Sequence, residues 1–147
     1  PLISIRVNCD FFKERAAGNL PKYGMLVYTG PIDSYFSQQG MPKLEYRSLR
    51  FEEIYVDQPP DVLETPGSYG TLIAREYSSA EGDPYYPVPN PGNNQLYEKY
   101  KKLADKEQGV CFVGRLASYK YFNMDQAILN ALELFDGWKA EGKLAKS

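Results

Sequence analysis

Arg115 closes Cys111-Phe112-Val113-Gly114-Arg115-Leu116, a short apolar run that ends in glycine, and Ala117-Ser118-Tyr119-Lys120-Tyr121-Phe122-Asn123-Met124-Asp125-Gln126 follows it directly. The pattern reads as a strand, a tight connection and then a helix whose first turn carries Asn123 and Asp125. A helix N-terminus offers unpaired backbone N–H groups and the positive end of its dipole, which suit an electron-rich ligand edge such as a carbonyl or a phosphate. Arg115 at the strand end would add a fixed positive charge beside that edge. The same residues also suit a simpler arrangement, a capped helix after a strand with Arg115 in a surface ion pair.

Two other segments carry usable groups. In Asp83-Pro84-Tyr85-Tyr86-Pro87-Val88 the flanking prolines hold two adjacent tyrosines extended, so that they point to opposite sides. One can pack while the other offers its hydroxyl to a ligand; a rigid aromatic clamp is the alternative. Val27-Tyr28-Thr29-Gly30-Pro31-Ile32-Asp33 is an apolar strand entering a Thr-Gly turn. In dinucleotide-binding flavoproteins such a strand returns to the nucleotide domain, and its glycine lets backbone approach the cofactor.

The composition narrows the chemistry. The 147 residues contain no histidine, which removes histidine acid–base catalysis, histidine metal ligands and serine or cysteine triads built on histidine. Cys9 and Cys111 form no CxxC pair, so neither a zinc site nor a disulfide scaffold is expected; both read as buried, reduced thiols in strands, as in a cytosolic protein. A net charge of -2 gives no basic stripe for nucleic acid. No apolar run approaches a membrane span, and Pro1-Leu2-Ile3 is not a signal peptide. Thirteen tyrosines favour a polar pocket only weakly, because core and surface positions absorb many of them.

The elements that must position these groups are strands followed by a helix, a strand and a last helix, an α/β or α+β order. Ile3–Asn8 alternates as a strand, and Asp10–Lys22 reads as loose polar chain. Tyr23–Thr29 reads as a buried strand, and Ile32–Phe36 as a helical turn. Leu44–Val56 has period two, with Tyr46, Ser48, Arg50 and Glu52 on one side and Arg47, Leu49 and Phe51 on the other. Asp57–Asp61 is a break, Gly70–Ser78 a strand, and Asp83–Pro91 an extended loop or poorly paired edge. Asn94–Glu107 is an amphipathic helix capped by Asn93 or Asn94. Val110–Val113 is a short strand. The last helix runs from about Asn123 to Lys139 and is expected to bury Ile128, Ala131, Leu132, Phe135 and Trp138, with a frayed tail from Gly142.

Together, IRVNCDFF (5–12), VYTGPIDSYF (27–36), LEYRSLRF (44–51), AREYSSA (74–80), PYYPV (84–88), QLYEKYKKLA (95–104), FVGRL (112–116) and the stretch 119–132 resemble the UDP-galactopyranose mutase family across most of the chain. YTGPID and GRL-x-x-Y-x-Y-x-x-MD in combination are specific; no single piece is. The resemblance implies the C-terminal part of a cytoplasmic enzyme with a Rossmann-type FAD domain, a helical lid and a central mixed or antiparallel sheet. It implies an isomerase acting on UDP-galactose, in which N5 of the reduced flavin is the nucleophile and forms a sugar adduct, so that no protein side chain is catalytic in that sense. The flavin would then carry the chemistry that a chain without histidine lacks.

Carried over by position, Tyr86 and Tyr121 resemble the family's diphosphate-binding tyrosines, and Asn123 stands on the substrate side where several members have Asp. Arg115 resembles the arginine beside FAD; Met124, Asp125 and Gln126 sit where the last helix meets the flavin, and Thr29 and Gly30 lie on the cofactor side. No metal is implied. Residues 1–57 correspond to return and substrate-domain strands, 58–91 to a sheet strand and the Pro/Tyr loop, and 92–147 to helix, strand and final helix. The family's GxGxxG segment is absent, as is a further stretch expected between Asp57 and Gln58 that includes a V-P-Y-T-R-like arginine. By itself the 147-residue chain is therefore expected neither to hold FAD tightly nor to isomerise UDP-galactose. Its partners would be the remainder of the same chain or a second copy in a homodimer. Two other readings are a non-catalytic mutase-derived subunit and an amine-oxidase-type flavoprotein, against which the PYYP loop argues.

Overall fold

The computed structural model describes residues 3–56 and 71–143. The elements run α1 (Phe11–Ala16), β1 (Leu26–Tyr28), α2 (Ile32–Tyr35), a 3-10 turn (Ser37–Gln39), β2 (Tyr46–Val56), β3 (Thr71–Ser79), β4 (Tyr86–Pro87), α3 (Pro91–Ala104), β5 (Val110–Phe112) and α4 (Met124–Ala140). The class is mixed α/β, as the element order implies. β1 and β5 pair in parallel, Leu26 with Val110 and Tyr28 with Phe112. A three-stranded antiparallel sheet runs β3-β2-β4, with β2 and β3 paired along their length and β4 joining only at Tyr46–Pro87 and Arg47–Tyr86.

The core is aromatic. Tyr28, Ile32, Tyr35, Phe36, Leu44, Tyr100, Ala117 and Tyr119 form one buried cluster, against which Leu26, Leu96 and Phe112 pack. Burying a phenol strands its hydroxyl unless a partner is near, and each buried tyrosine has one. Tyr28 donates to the Pro31 carbonyl (3.1 Å) and Tyr35 to the Glu107 carboxylate (3.3 Å). Tyr100 donates to the Pro42 carbonyl (2.8 Å) and Tyr119 to the Glu45 carbonyl (2.6 Å). These four tyrosines therefore serve the core, the alternative that weakened the tyrosine count as a pocket signal. Burial pushes the Tyr28 phenol up to about 12, with the Asp33 carboxylate adding to the shift.

Asp33, the last residue of YTGPID, is buried at 8% exposure. It accepts from the Leu44 N–H (3.2 Å) and the Tyr46 hydroxyl (2.9 Å), tying α2 to the start of β2. Burial and that carboxylate raise the Tyr46 phenol strongly.

Several expectations are corrected. Ile3–Asn8 forms no strand: Ile3, Ile5 and Val7 are 77%, 82% and 76% exposed, because alternation makes a strand only where another strand pairs with it. The loose segment after it contains α1, capped by Asp10, whose carboxylate accepts from the N–H groups of Phe12 (2.9 Å) and Lys13 (3.0 Å). Cys9 is exposed and outside any strand; Cys111 lies half-buried in β5, where burial raises its thiol pKa. The cap of α3 is Asn90 rather than Asn93 or Asn94, with Pro91 opening the helix where its missing N–H costs nothing. Asn93 instead turns inward and donates to Glu45 (3.0 Å) and to the Val88 carbonyl (2.8 Å).

α4 begins and ends near the expected places but buries no residue. Ile128, Leu132 and Phe135 are 62%, 56% and 48% exposed, Ala131 is exposed and Trp138 half-buried, since no described element packs over that face. Gly142, at φ 66, closes the helix in the left-handed region, with the Lys143 N–H donating to the Trp138 carbonyl (2.9 Å). The break at Asp57–Asp61 and the tail beyond residue 143 lie outside the described residues. No helix among the described residues is long and apolar enough to cross a membrane.

Candidate functional site

The tip of β5 and its following loop meet the Pro/Tyr segment. After Phe112 the Val113 N–H donates to the Tyr28 carbonyl (3.1 Å), so the strand pairing carries the chain up to Gly114. Gly114 sits at φ 91, a conformation that L side chains avoid. The chain turns there, and the loop winds through a helical turn, with the Ser118 N–H donating to the Gly114 carbonyl (2.9 Å) and the Lys120 N–H to the Arg115 carbonyl (3.1 Å). α4 is moored to the same turn: the Asn130 carboxamide oxygen accepts from the Gly114 N–H at 3.3 Å.

Arg115, Tyr86 and Tyr121 form a column. The Arg115 guanidinium lies 4.5 Å from the centre of the Tyr86 ring. The Tyr121 ring stacks on Tyr86 at 4.9 Å and 21°. Two residues in β4 and its approach thus face different ways, as the flanking prolines imply: Tyr86 joins the column, while Tyr85 lines an adjoining groove. That groove, about 530 Å³, is walled by Thr29, Tyr85, Gly114, Arg115, Met124 and Ile128, among others. Arg115 forms no ion pair among the described residues, and its Nε is buried without an acceptor. A guanidinium without an ion-pair partner among the described residues, at the edge of an apolar groove, suits an anionic or carbonyl-rich ligand. Among the described residues the surface ion pair is not formed.

The remaining expected residues divide. Thr29 and Met124 reach the groove. Gly30 does not line it; a Cβ there would lie 2.6 Å from the Tyr28 hydroxyl, so its lack of a side chain is explained by that ring. Asn123 caps α4, and its N–H donates to the Gln126 side-chain oxygen at 2.9 Å. Gln126 is therefore engaged in capping, whereas Asp125 is exposed in the first turn, where a carboxylate complements the dipole. Sequence reasoning passed over Tyr85, Leu116 and Ile128, which also line the groove. The opposite-facing tyrosines and the i, i+4 spacing of Met124 and Ile128 are the signals that point to two of them.

Among the described residues no cluster of three or more acidic or cysteine side chains could hold a metal. A family model described as UDP-galactopyranose mutase matches residues 1–64 and 61–121. A Klebsiella pneumoniae protein named as a probable UDP-galactopyranose mutase is 33% identical over 160 positions, covering 91% of this chain and 40% of that protein. The dTDP-fucopyranose mutase of Escherichia coli is 31% identical over 139 positions, covering 76% and 36%. The UDP-galactopyranose mutase of Mycoplasma pneumoniae is 32% identical over 168 positions, covering 90% and 42%. The chain thus spans about two-fifths of the length of these relatives. Alignments of 160 and 168 positions exceed the 147 residues available, so those two relatives carry residues inside the matched region that this chain lacks. With its family model matched from residue 1 to 121, the chain belongs to the UDP-galactopyranose mutase family.

Proposed function

We propose that these residues form the diphosphate-holding side of a flavin-dependent isomerase that interconverts UDP-galactopyranose and UDP-galactofuranose in the cytoplasm. The observation that carries the reading is the Arg115–Tyr86–Tyr121 column at the rim of the apolar groove. Stacked on Tyr86, the guanidinium keeps its N–H edges for an anion, and the two phenols add hydroxyl donors. As the bond from the diphosphate to the anomeric carbon breaks, negative charge builds on the phosphate oxygens, where a fixed cation and two donors stabilise it. The column also holds the diphosphate in place while the sugar ring rearranges. Domain assignments follow the same reading: residues 1–57 supply return strands and substrate-domain strands, 58–91 a sheet strand and the Pro/Tyr loop, and 92–147 the helix, strand and last helix that meets the cofactor.

The groove suits one edge of an FAD ring system. Its walls are largely apolar, Gly114 carries no side chain, and the Arg115 guanidinium at its rim is a donor for a ring carbonyl. Thr29, Arg115 and Met124 would hold that edge, with Asp125 and Gln126 shaping the helix end beside it and Asn123 on the substrate side. When bound, the reduced flavin supplies the nucleophile for the sugar's anomeric carbon.

The dTDP-fucopyranose mutase relative favours a second reading of substrate. A column that grips only a diphosphate serves UDP-galactose and dTDP-fucose alike, leaving base and sugar to be read elsewhere. Titrating the full-length protein with UDP and with dTDP tests both readings. Tighter UDP binding, lost on Tyr121→Ala, supports the first, and tighter dTDP binding supports the second. Affinity for neither would remove both.

A further inference from the structure

Tyr119 stands out for its backbone. It is 5% exposed and holds φ 46, left-handed space that a bulky residue occupies only when its surroundings compel it. Its neighbours supply that compulsion. The hydroxyl donates to the Glu45 carbonyl at 2.6 Å and accepts from the Val88 N–H at 3.3 Å. The ring stacks on Tyr97 of α3 (5.8 Å, 21°) and meets Tyr46 edge-on (5.5 Å, 80°). One side chain thus joins the approach to β2, the exit of β4 and the first half of α3.

The two crossing segments share a register. Tyr119 bonds Val88; two residues later along the loop, Tyr121 stacks on Tyr86, two residues earlier along the Pro/Tyr segment. Tyr121 is 60% exposed, and its main described ring contact is that stack. Arg115 stands four residues before Tyr119 in the same wound loop, and its guanidinium lies over the Tyr86 ring.

We propose that Tyr119 is a positioning residue: its hydroxyl, clamped between Glu45 and Val88, sets the register in which Tyr121 and Arg115 close on Tyr86 and thereby the spacing of the donors offered to a nucleoside diphosphate. The ligand half of this statement rests on the function proposed above; the geometric half does not.

The test is Tyr119→Phe in the full-length protein, which keeps the ring and deletes the clamp. Tyr100→Phe is the control, because it also deletes a buried tyrosine hydroxyl, bonded to the Pro42 carbonyl at 2.8 Å, but away from the crossing. Both variants are compared below their unfolding temperatures by NMR contacts between the Tyr86 and Tyr121 rings and by UDP titration. For Tyr119→Phe the ring contacts are expected to weaken and UDP affinity to fall about tenfold, as for a lost pair of hydrogen bonds. For Tyr100→Phe only the melting temperature is expected to fall. Unchanged ring contacts and UDP affinity in Tyr119→Phe overturn the proposal, whatever its melting temperature. If the unsubstituted protein binds no UDP, the proposed function fails while the ring contacts still decide the geometry. If Tyr119→Phe does not fold, Tyr97→Ala removes the ring stacked on Tyr119 and leaves the hydroxyl. Unaltered Tyr86–Tyr121 contacts there support the proposal, because the hydroxyl clamp is intact, and weakened ones overturn it.

Discussion

A guanidinium stacked on a phenol is a different object from an ammonium at the same place. Arg115→Lys keeps the charge but loses the planar face over Tyr86 and the fork of donors; UDP affinity is expected to fall about tenfold, and about a hundredfold for Arg115→Ala. Calorimetric titration of the full-length protein checks both. The buried phenols predict a pH limit on stability. Buried Tyr28, pushed up to about 12, and half-buried Tyr46, raised further, must stay protonated to keep their places. Their folded-state pKa values lie above the unfolded value of about 10, so their contribution is intact below that pH and is lost as pH climbs through the folded values. Urea midpoints should therefore fall steeply above pH ~10, with tyrosinate absorbance rising in step. At this scale the sequence singled out Arg115, Tyr86 and Tyr121 but gave Asp33 no role. Its role depends on Leu44 and Tyr46, eleven and thirteen positions away, and only the folded turn brings them together.

Helix ends were less legible than helix bodies. The body of α3 follows from Leu96, Tyr100 and Leu103, whereas its start depends on one carboxamide: Asn90 accepts from the Asn93 N–H at 2.8 Å. Asn90→Ala is expected to cost about 1 kcal/mol, read as a lower thermal midpoint. Because Asn90 precedes Asn93, whose side chain anchors Glu45 and Val88, the loss should also loosen the segment that carries Tyr86. Long paired strands were readable from period two, as β2 shows. Ile3–Asn8 has the same period and stays unpaired, because periodicity records which face is apolar and says nothing of whether a neighbour exists. α4 makes the same point for helices.

Across the whole molecule, the apolar stripe Met124, Ile128, Leu132 and Phe135 and the ribbon side chains Phe51, Tyr55 and Leu72 stand in water. That much exposed apolar surface is unusual for a folded monomer. The 147-residue chain in isolation should bind an apolar fluorescent dye strongly while still giving a cooperative melt, and Ile128→Glu with Leu132→Lys should reduce the dye signal without lowering the melting temperature. A chain that stays dark with the dye would contradict the exposed stripe. The parallel pair β1–β5 has a further consequence, in time rather than in space. Its strands lie roughly 80 residues apart, and closing so long a loop is slow relative to forming local helices and hairpins. During synthesis Tyr28 and Tyr35 must wait, without Phe112 and Tyr119, until almost the whole segment has left the ribosome. The groove that Thr29 and Arg115 share is therefore among the last features to form, and a chain released before β5 has neither core nor site.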